Sequence, residues 1–538
     1  MRDYQAAYRD FSLEKLEREV LQGSLADGLN ACIECCDRWA DDEQRVALRW
    51  IGRDFAQKTV TFRELALASA RFANLLHSCG VGRGDVVAGL MPRIPELFVA
   101  VLGCFRAGAI YQPLFTAFGP AAIEHRVTAD GGTQAKLILT DAANTAKLDE
   151  VARCPPVLLV DRGPNGKFAA LLAAQPEAFA PVMLRGDHPF VTNYTSGTTG
   201  HPKAVRYSLR MLLPVTAYVR DAIGLRVDDR FWCMADPGWS YGMFCTIVVP
   251  LLLGYATTMY EGPFTVESAV RVIESQGITN LASAPTAYRL MMAAGDDAIA
   301  PISRQLRVAS SAGEALNPEV ARWAERALHC PLYDHYGQTE FGMLVNNHHA
   351  LRHKVKSGSA GVATPGFELA VLDDSLRPVP SGTPGTLAVN LARSPLCEFK
   401  GYWRGETPNL LGEWWLTGDT MLQDEDGHFF FVARSDDVIT SSGYRIGPFE
   451  IESVLMEHPA IAEVAVIGKP DPERTEIVKA FAVLRQGFSP SGELVDWLQQ
   501  HVRKRLSLHA YPREIEFLEE IPKTASGKMQ RFLLRQRA

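Results

Sequence analysis

The stretch Tyr194-Thr-Ser-Gly-Thr-Thr-Gly-His-Pro-Lys203 sets four aliphatic hydroxyls, two glycines and a lysine behind the apolar run Phe190-Val-Thr-Asn. That mixture suits a phosphate. Gly197 and Gly200 let backbone N–H groups approach an anion, Thr195, Ser196, Thr198 and Thr199 add hydroxyl donors, and Lys203 adds positive charge. Residues 189–194 read as a strand feeding the loop. The spacing departs from the Walker pattern, because Lys203 is followed by Ala204 rather than Ser or Thr, which disfavours an ordinary kinase or P-loop ATPase. Ser, Thr and Gly also gather in plain surface loops, so the stretch alone establishes only a capacity for phosphate.

Outward from this loop, strand-like and helical runs alternate. Residues 61–79 carry apolar side chains at helical spacing and stop at Gly80. The cluster Gly80-Val-Gly-Arg-Gly-Asp85 then lies between a helix and a strand, the reverse of the dinucleotide-binding order, and reads as a turn. Strands over 137–140, 157–160, 280–283 and 306–310 alternate with helices over 266–276, 285–294 and 318–328, which predicts parallel sheets covered by helices. After about Gly361, short strands over 367–372, 385–390 and 428–433 predict a small β-rich subdomain. From about 435 a third region combines helices over 451–456 and 494–506 with strands over 464–468 and 478–484. The predicted class is therefore α/β (α+β): an N-terminal domain over 1–434, its β-rich part at about 361–434, and a C-terminal α+β domain over 435–538.

Composition excludes several classes. The 538 residues hold 55 basic and 62 acidic side chains, a formal charge of −7, which gives no electrostatic reason to expect nucleic acid or an anionic membrane as partner. The longest apolar segment, 245–253, is interrupted by Pro250 and is too short to span a bilayer. The first ten residues resemble neither a secretory signal nor a transit peptide, and ten cysteines in so long a chain fit a reducing cytoplasm. Cys32, Cys35 and Cys36 lack a second close pair of ligands, so packing of small thiols on a helix face is expected rather than a metal.

Five further motifs follow the loop in order: Ser311-Ala-Gly-Glu-Ala-Leu316, Tyr336-Gly-Gln-Thr-Glu340, Trp415-Leu-Thr-Gly-Asp419, Arg434-Ser-Asp-Asp-Val-Ile-Thr-Ser-Ser-Gly-Tyr-Arg-Ile-Gly-Pro448 and Pro522-Lys-Thr-Ala-Ser-Gly-Lys528. With the phosphate loop they make essentially the whole chain resemble the acyl-adenylate-forming superfamily of acyl-CoA synthetases, luciferases and peptide-synthetase adenylation domains. The wording Gly313-Glu-Ala-Leu-Asn-Pro-Glu-Val320 and Ser441-Ser-Gly-Tyr-Arg-Ile-Gly-Pro-Phe-Glu450 is most similar to the medium-chain acyl-CoA synthetase branch.

The resemblance implies two steps. A carboxylate attacks the α-phosphate of ATP, giving an acyl adenylate and pyrophosphate, and CoA thiolate then displaces AMP. The first step gathers negative charge on phosphate oxygens, so positioning and charge neutralisation carry the catalysis. By resemblance, Thr195, Ser196, Gly197, Thr198, Thr199, Gly200 and Lys203 embrace the β- and γ-phosphates, and Glu340 with Thr199 holds Mg2+. A lone carboxylate suffices for an ion that keeps water and phosphate ligands. Thr339 touches the α-phosphate, and Tyr336 stacks on adenine. Gly313, Glu314 and Ala315 line the other side of the ring, and Asp334 belongs to the same nucleotide site. Asp419 accepts from the ribose hydroxyls with help from Arg434. Lys528 bridges the carboxylate and the α-phosphate.

The resemblance further implies that the C-terminal domain rotates between half-reactions with Asp436 at the hinge. Gly443, Tyr444 and Arg445 then line the tunnel for CoA, with Arg474 and Tyr511 near its nucleotide. Taken singly, an Asp, Glu or Tyr in a loop is an ordinary solvated or capping residue, and a lysine near a chain end an ordinary solvated one.

For the acid, acetate-specific relatives carry tryptophan where this chain has Gly337, so a deeper slot is expected, lined by Trp239, Ser240, Tyr241, Ala312, Gly337 and Phe341. A medium-chain fatty or aryl acid would gain about 0.8 kcal/mol per buried methylene, and Gly337→Trp is expected to shift preference toward acetate. Val345-Asn-Asn-His-His349 departs from the branch's usual wording. Two rivals stand beside this reading. The first is an adenylating enzyme that passes its acyl group to a carrier protein or to nothing; residues 529–538 leave no room for a fused carrier and the loop Ser441-Ser-Gly-Tyr-Arg445 suits CoA, while a separate carrier protein stays open as the acceptor. The second is a non-catalytic nucleotide-binding homologue, which predicts erosion at Lys203, Glu340, Asp419 or Lys528, all of which are present. No GxSxG elbow marks a hydrolase.

Overall fold

Two parallel-rich sheets form the body of the protein in the computed structural model. Described are all residues except 129–131, 162–165, 196–201, 436, 442–443, 472–473, 507–509 and 525–527, with backbone alone at 444 and 445. The first sheet has nine strands, running from Val362–Ala363 through Gly342–Asn346, Leu332–Gln338, Val308–Ala312, Asn280–Ser283, Phe231–Cys233, Thr257–Tyr260 and Val46–Ile51 to Gln57–Thr61. Its centre is parallel and its outer strands are antiparallel. The second has six strands in the order Val157–Leu159, Leu137–Thr140, Val86–Leu90, Ile110–Pro113, Pro189–Tyr194 and Ala204–Ser208. Most residues of their interior strands are buried, the polar ones among them included.

The helices follow local chemistry. Phe62–Ser78 begins in a reciprocal capping box between Thr61 and Glu64, and buries Phe62, Leu65, Phe72 and Leu76 against Pro95–Arg106. The helix expected over 318–328 starts at Pro318, but its second half, Ala324–Leu328, widens into a π turn before His329 turns left-handed at φ 54°. The apolar segment over 245–253 is also part π turn, in Met243–Val248, and Pro250 sits in the first turn of the following helix Val249–Leu252, where its missing N–H costs little. No helix among the described residues is long and apolar enough to cross a membrane. Cys32, Cys35 and Cys36 are buried around the short helix Ala31–Cys35, and no group of three or more metal-ligating side chains occurs among the described residues.

Beyond Gly361, a five-stranded antiparallel sheet contains Leu369–Leu372, Gly385–Asn390, Trp414–Gln423, Leu410–Leu411 and Phe429–Arg434. A separate sheet of Ile439–Ser441, Tyr444–Ile446, Ile461–Asp471, Thr475–Leu484 and Glu514–Phe517, with helices Pro448–Leu455 and Gly492–Arg505, forms the C-terminal part. It rests on the body through Asn317 Nδ2, which donates to Ser453 Oγ at 3.2 Å, and through the edge-on rings of Phe431 and Phe449.

Candidate active site

Pro189–Tyr194 pairs antiparallel with Ala204–Ser208, so the two flanks of the candidate phosphate stretch are neighbouring strands of one sheet. Its base is closed on both sides. Thr195 N–H donates to the Lys203 carbonyl at 2.9 Å, and Lys203 N–H donates to Thr195 Oγ1 at 3.2 Å. Ser196, Gly197, Thr198, Thr199 and Gly200 lie outside the described residues. The Lys203 ammonium sits 4.7 Å from the centre of the Tyr402 ring, and Tyr402 Oη donates to Glu340 Oε1 at 2.5 Å. Tyr402 thus links the loop lysine to the candidate metal carboxylate. Burial raises the Glu340 pKa, while Tyr402 and the field of Arg434 pull it down.

Three strand ends converge here, as expected for ligands at the carboxyl edge of such sheets. Val308–Ala312 ends at Gly313, Leu332–Gln338 ends at Thr339, and Pro189–Tyr194 ends at Thr195. Gly313 has φ +99°, a backbone that side chains rarely adopt, and it faces open space. Glu314 follows it with its carboxylate held by Arg289 at 2.7 Å and by Thr286, and Ala315 continues the turn. Asp334 fastens that turn to the neighbouring strand, accepting from Leu316 N–H at 3.2 Å, and burial pushes its pKa up to about 8.

Asp419 is the hub of the candidate nucleoside residues. Its Oδ2 accepts from Tyr336 Oη at 2.6 Å and from Gln338 Nε2 at 3.1 Å, while Arg434 Nη1 stands 4.0 Å from Oδ1. The register that pairs Asp419 with Arg434 across two adjacent strands puts the acid beside its cation. Burial raises the Asp419 pKa, opposed by Arg434, Tyr336, Gln338 and Lys528.

The C-terminal part brings Lys528 to this hub. Solvent reaches Lys528, yet protein crowds its ammonium enough for desolvation to lower its pKa; Glu314, Asp419 and Glu340 oppose that shift and Arg434 adds to it. Lys528 therefore lies in the field of the candidate nucleotide residues. Its backbone is fixed by exchange with Thr524, whose N–H donates to the Lys528 carbonyl at 2.7 Å. Asp436 and Gly443 lie outside the described residues, and Tyr444 and Arg445 are placed only by the backbone of Tyr444–Ile446. Arg474 sits in the turn closed by its own N–H on Asp471 at 2.8 Å. Tyr511 lies between two guanidinium groups, with Arg503 4.6 Å and Arg513 4.9 Å from its ring centre.

The candidate acid pocket divides. Trp239 packs against Phe115 and Phe118 at 5.3 and 5.4 Å to form an aromatic wall, and Ser240 and Tyr241 follow it, half-buried, on the short helix Ser240–Gly242. Ala312 is buried at the end of its strand. Two expected members are otherwise placed. Phe341 packs edge-on against Phe399 and Trp415 in the core beneath the β-rich subdomain, so it supports the site from behind. Gly337 opens no slot. A Cβ built there would lie 2.2 Å from the Gly342 carbonyl oxygen and 2.7 Å from both Cα and Sδ of Met343, where the strand carries a bulge. The glycine is required by backbone packing, and a tryptophan could not simply take its place as a pocket floor.

Sequence reasoning missed Tyr402, Gln338, Arg289 and Tyr207. Tyr207 is buried and donates to the Thr339 carbonyl at 2.5 Å. Gln338 stood inside a quoted motif, where its position between Tyr336 and Glu340 was a usable signal. Tyr402 and Arg289 carry no local signal, since only the fold brings them in.

The chain matches the AMP-binding enzyme family over residues 36–403 and the AMP-binding enzyme C-terminal domain over residues 450–528. It is 36% identical to the acetyl-coenzyme A synthetase of Bacillus subtilis, across 99% of this chain and 95% of that protein. It is 34% identical to the mitochondrial acyl-coenzyme A synthetase ACSM3 of Mus musculus, across 100% of this chain and 95% of that protein. Among solved structures, the acyl-CoA synthetase of Brucella canis superposes with a TM-score of 0.81 at 51% identity, covering 100% of this chain and 99% of that one.

Proposed function

The chain belongs to the AMP-binding enzyme family and is an AMP-forming acyl-CoA ligase, and on that premise we propose how its residues divide the work and which acids it takes. ATP, CoA and a carboxylic acid are the substrates of such a ligase. The stretch from Thr195 to Lys203 holds the departing pyrophosphate. Asp419, backed by Arg434 and Gln338, takes the ribose, and Tyr336, tethered by its hydroxyl to Asp419, offers its ring face to adenine.

The hard carboxylate of Glu340, buried and hydrogen-bonded on one oxygen by Tyr402, fits a Mg2+ ion that keeps water and phosphate ligands, with Thr199 as its hydroxyl neighbour. Such an ion supplies charge neutralisation on the phosphates. The observation that carries the reading is the convergence of Lys528 with Glu314, Asp419 and Glu340 across two parts of the chain. There the ammonium neutralises charge between carboxylate and α-phosphate during adenylation. The C-terminal domain, 435–538, then pivots about Asp436, bringing Gly443, Tyr444 and Arg445 to the pantetheine arm, with Arg474 and Tyr511 near the CoA nucleotide.

The acid is medium-chain or aromatic. The aromatic wall of Phe115, Phe118 and Trp239 favours such an apolar body, whereas the relatives' names, one for acetate and one for acyl groups in general, do not decide its length. A panel of carboxylic acids tests the proposal through ATP-dependent AMP release with CoA and pyrophosphate exchange without it. Six- to ten-carbon or aryl acids should lead in both assays (on the order of the methylene increments above). Acetate as the best substrate would contradict the acid assignment, and exchange without CoA-dependent release would favour a carrier protein as acceptor.

A further inference from the structure

Two hydrogen-bond chains end on adjacent residues of the acid-binding side proposed above, and their direction can be worked out donor by donor. The first starts at the Asn347 carbonyl, which can only accept, 2.9 Å from His335 Nε2. His335 is buried, and burial lowers its pKa to about 4, so the ring is neutral and carries one proton. That proton is on Nε2. Nδ1 is then an acceptor, and it takes the hydroxyl proton of Tyr218 at 2.9 Å. The Tyr218 oxygen, its own proton spent, accepts from Tyr241 Oη at 2.9 Å. The second chain repeats the logic. The Thr339 carbonyl takes the proton of Tyr207, so Tyr207 in turn accepts from Ser240 Oγ at 2.9 Å.

Both chains therefore run with their protons inward. Ser240 and Tyr241 are half-buried as residues, and with their protons spent inward their oxygens have lone pairs alone left to offer. Strand alternation supports the placement, since His335 and Tyr336 project to opposite faces of Leu332–Gln338. The Ser240 end is one hydroxyl removed from Thr339, and the Tyr241 end lies one residue farther along, beside Trp239.

We propose that the preferred acid carries a hydroxyl or amino group, a hydrogen-bond donor that meets the Tyr241 oxygen, with Ser240 as a second acceptor nearer the carboxylate. An acid lacking the donor leaves these oxygens dry and unpaired, and one carrying only an acceptor sets lone pairs against lone pairs. The inference rests on residues 239–241 lining the acid.

The test is pyrophosphate exchange by the full-length protein with matched sets of benzoic and six-carbon acids: unsubstituted, hydroxy- or amino-substituted at each position, and methoxy- or keto-substituted. The best donor-bearing acid should exceed its parent by about tenfold or more in kcat/KM, in line with one neutral hydrogen bond. Tyr241→Phe should bring that ratio near one. Tyr218→Phe releases the Tyr241 proton and should raise the methoxy or keto acid relative to the hydroxy acid. Each ratio compares two acids on one preparation, so a partly folded variant does not alter it. A parent acid that matches or beats every donor-bearing analogue, or a ratio unchanged by Tyr241→Phe, would overturn the inference while acid activation stands. Exchange with no acid in the panel would overturn both.

Discussion

At the scale of single residues, Tyr402 joins groups that the sequence kept apart. Its ring lies under the Lys203 ammonium and its hydroxyl donates to Glu340. Hydrogen bonds to charged groups contribute about 1.5–3 kcal/mol, so Tyr402→Phe should lower kcat/KM for adenylate formation about tenfold or more. The sign of the accompanying pH effect follows from Glu340. Burial raises its pKa and the Tyr402 hydroxyl holds it down; losing that donor raises it further, so the acidic limb of the adenylation profile should move to higher pH. A pH profile of pyrophosphate exchange checks this, and a limb that stays put or moves to lower pH would remove Tyr402 from the cation site.

At the scale of elements, the strand Leu332–Gln338 carries most of the argument. It presents Tyr336 to the proposed nucleotide side and His335 to the other, and its bulge at Tyr336/Gly337 brings Gly337 against Gly342 and Met343. Gly337→Ala must displace strand backbone, so a loss of about 1–3 kcal/mol, the range for overpacking, should appear as a lowered Tm with no gain for short acids. An undisturbed Tm would contradict the packing. His335 adds a pH dependence. Its pKa is about 4 in the folded protein against about 6.5 unfolded. Between those values the unfolded chain binds more protons, so stability falls as pH drops from about 6.5 toward 4. His348 and His349 are shifted the same way by burial. His335→Gln should lessen the acid-side slope of unfolding free energy by up to about 1.4 kcal/mol per pH unit, measured by denaturant titration; a slope as steep as the original would mean that His335 is already protonated when folded.

Elements such as Phe62–Ser78 and Val266–Gln276 were legible because apolar periodicity and caps coincide there. The strand at 332–338 was not, since Tyr333-Asp-His-Tyr-Gly-Gln338 is a polar run whose strand character comes from its neighbours. The direction of Gly337 was equally hidden, because a motif names a residue but not what faces its α-carbon.

At the scale of the whole molecule, the two parts bring together candidate residues that neither holds alone. The motif order made that partnership legible in the sequence, while the contacts that dock the parts, Asn317 on Ser453 and Phe431 on Phe449, carry no sequence signal. Arg531 and Arg535, on the helix Arg531–Arg537, pair with Asp437, next to the proposed hinge, so this helix is tied to the point about which it would turn. In this arrangement the Lys528 ammonium feels Glu314, Asp419 and Glu340 together, which fits the proposed role in the first half-reaction. Lys528→Ala, assayed separately for acyl-adenylate formation from acid and ATP and for thioester formation from supplied acyl adenylate and CoA, isolates that claim. The account predicts loss of adenylation by at least about a hundredfold, the usual scale for removing a group that stabilises transition-state charge, with thioester formation retained. Equal loss of both half-reactions, or retention of both, would contradict it.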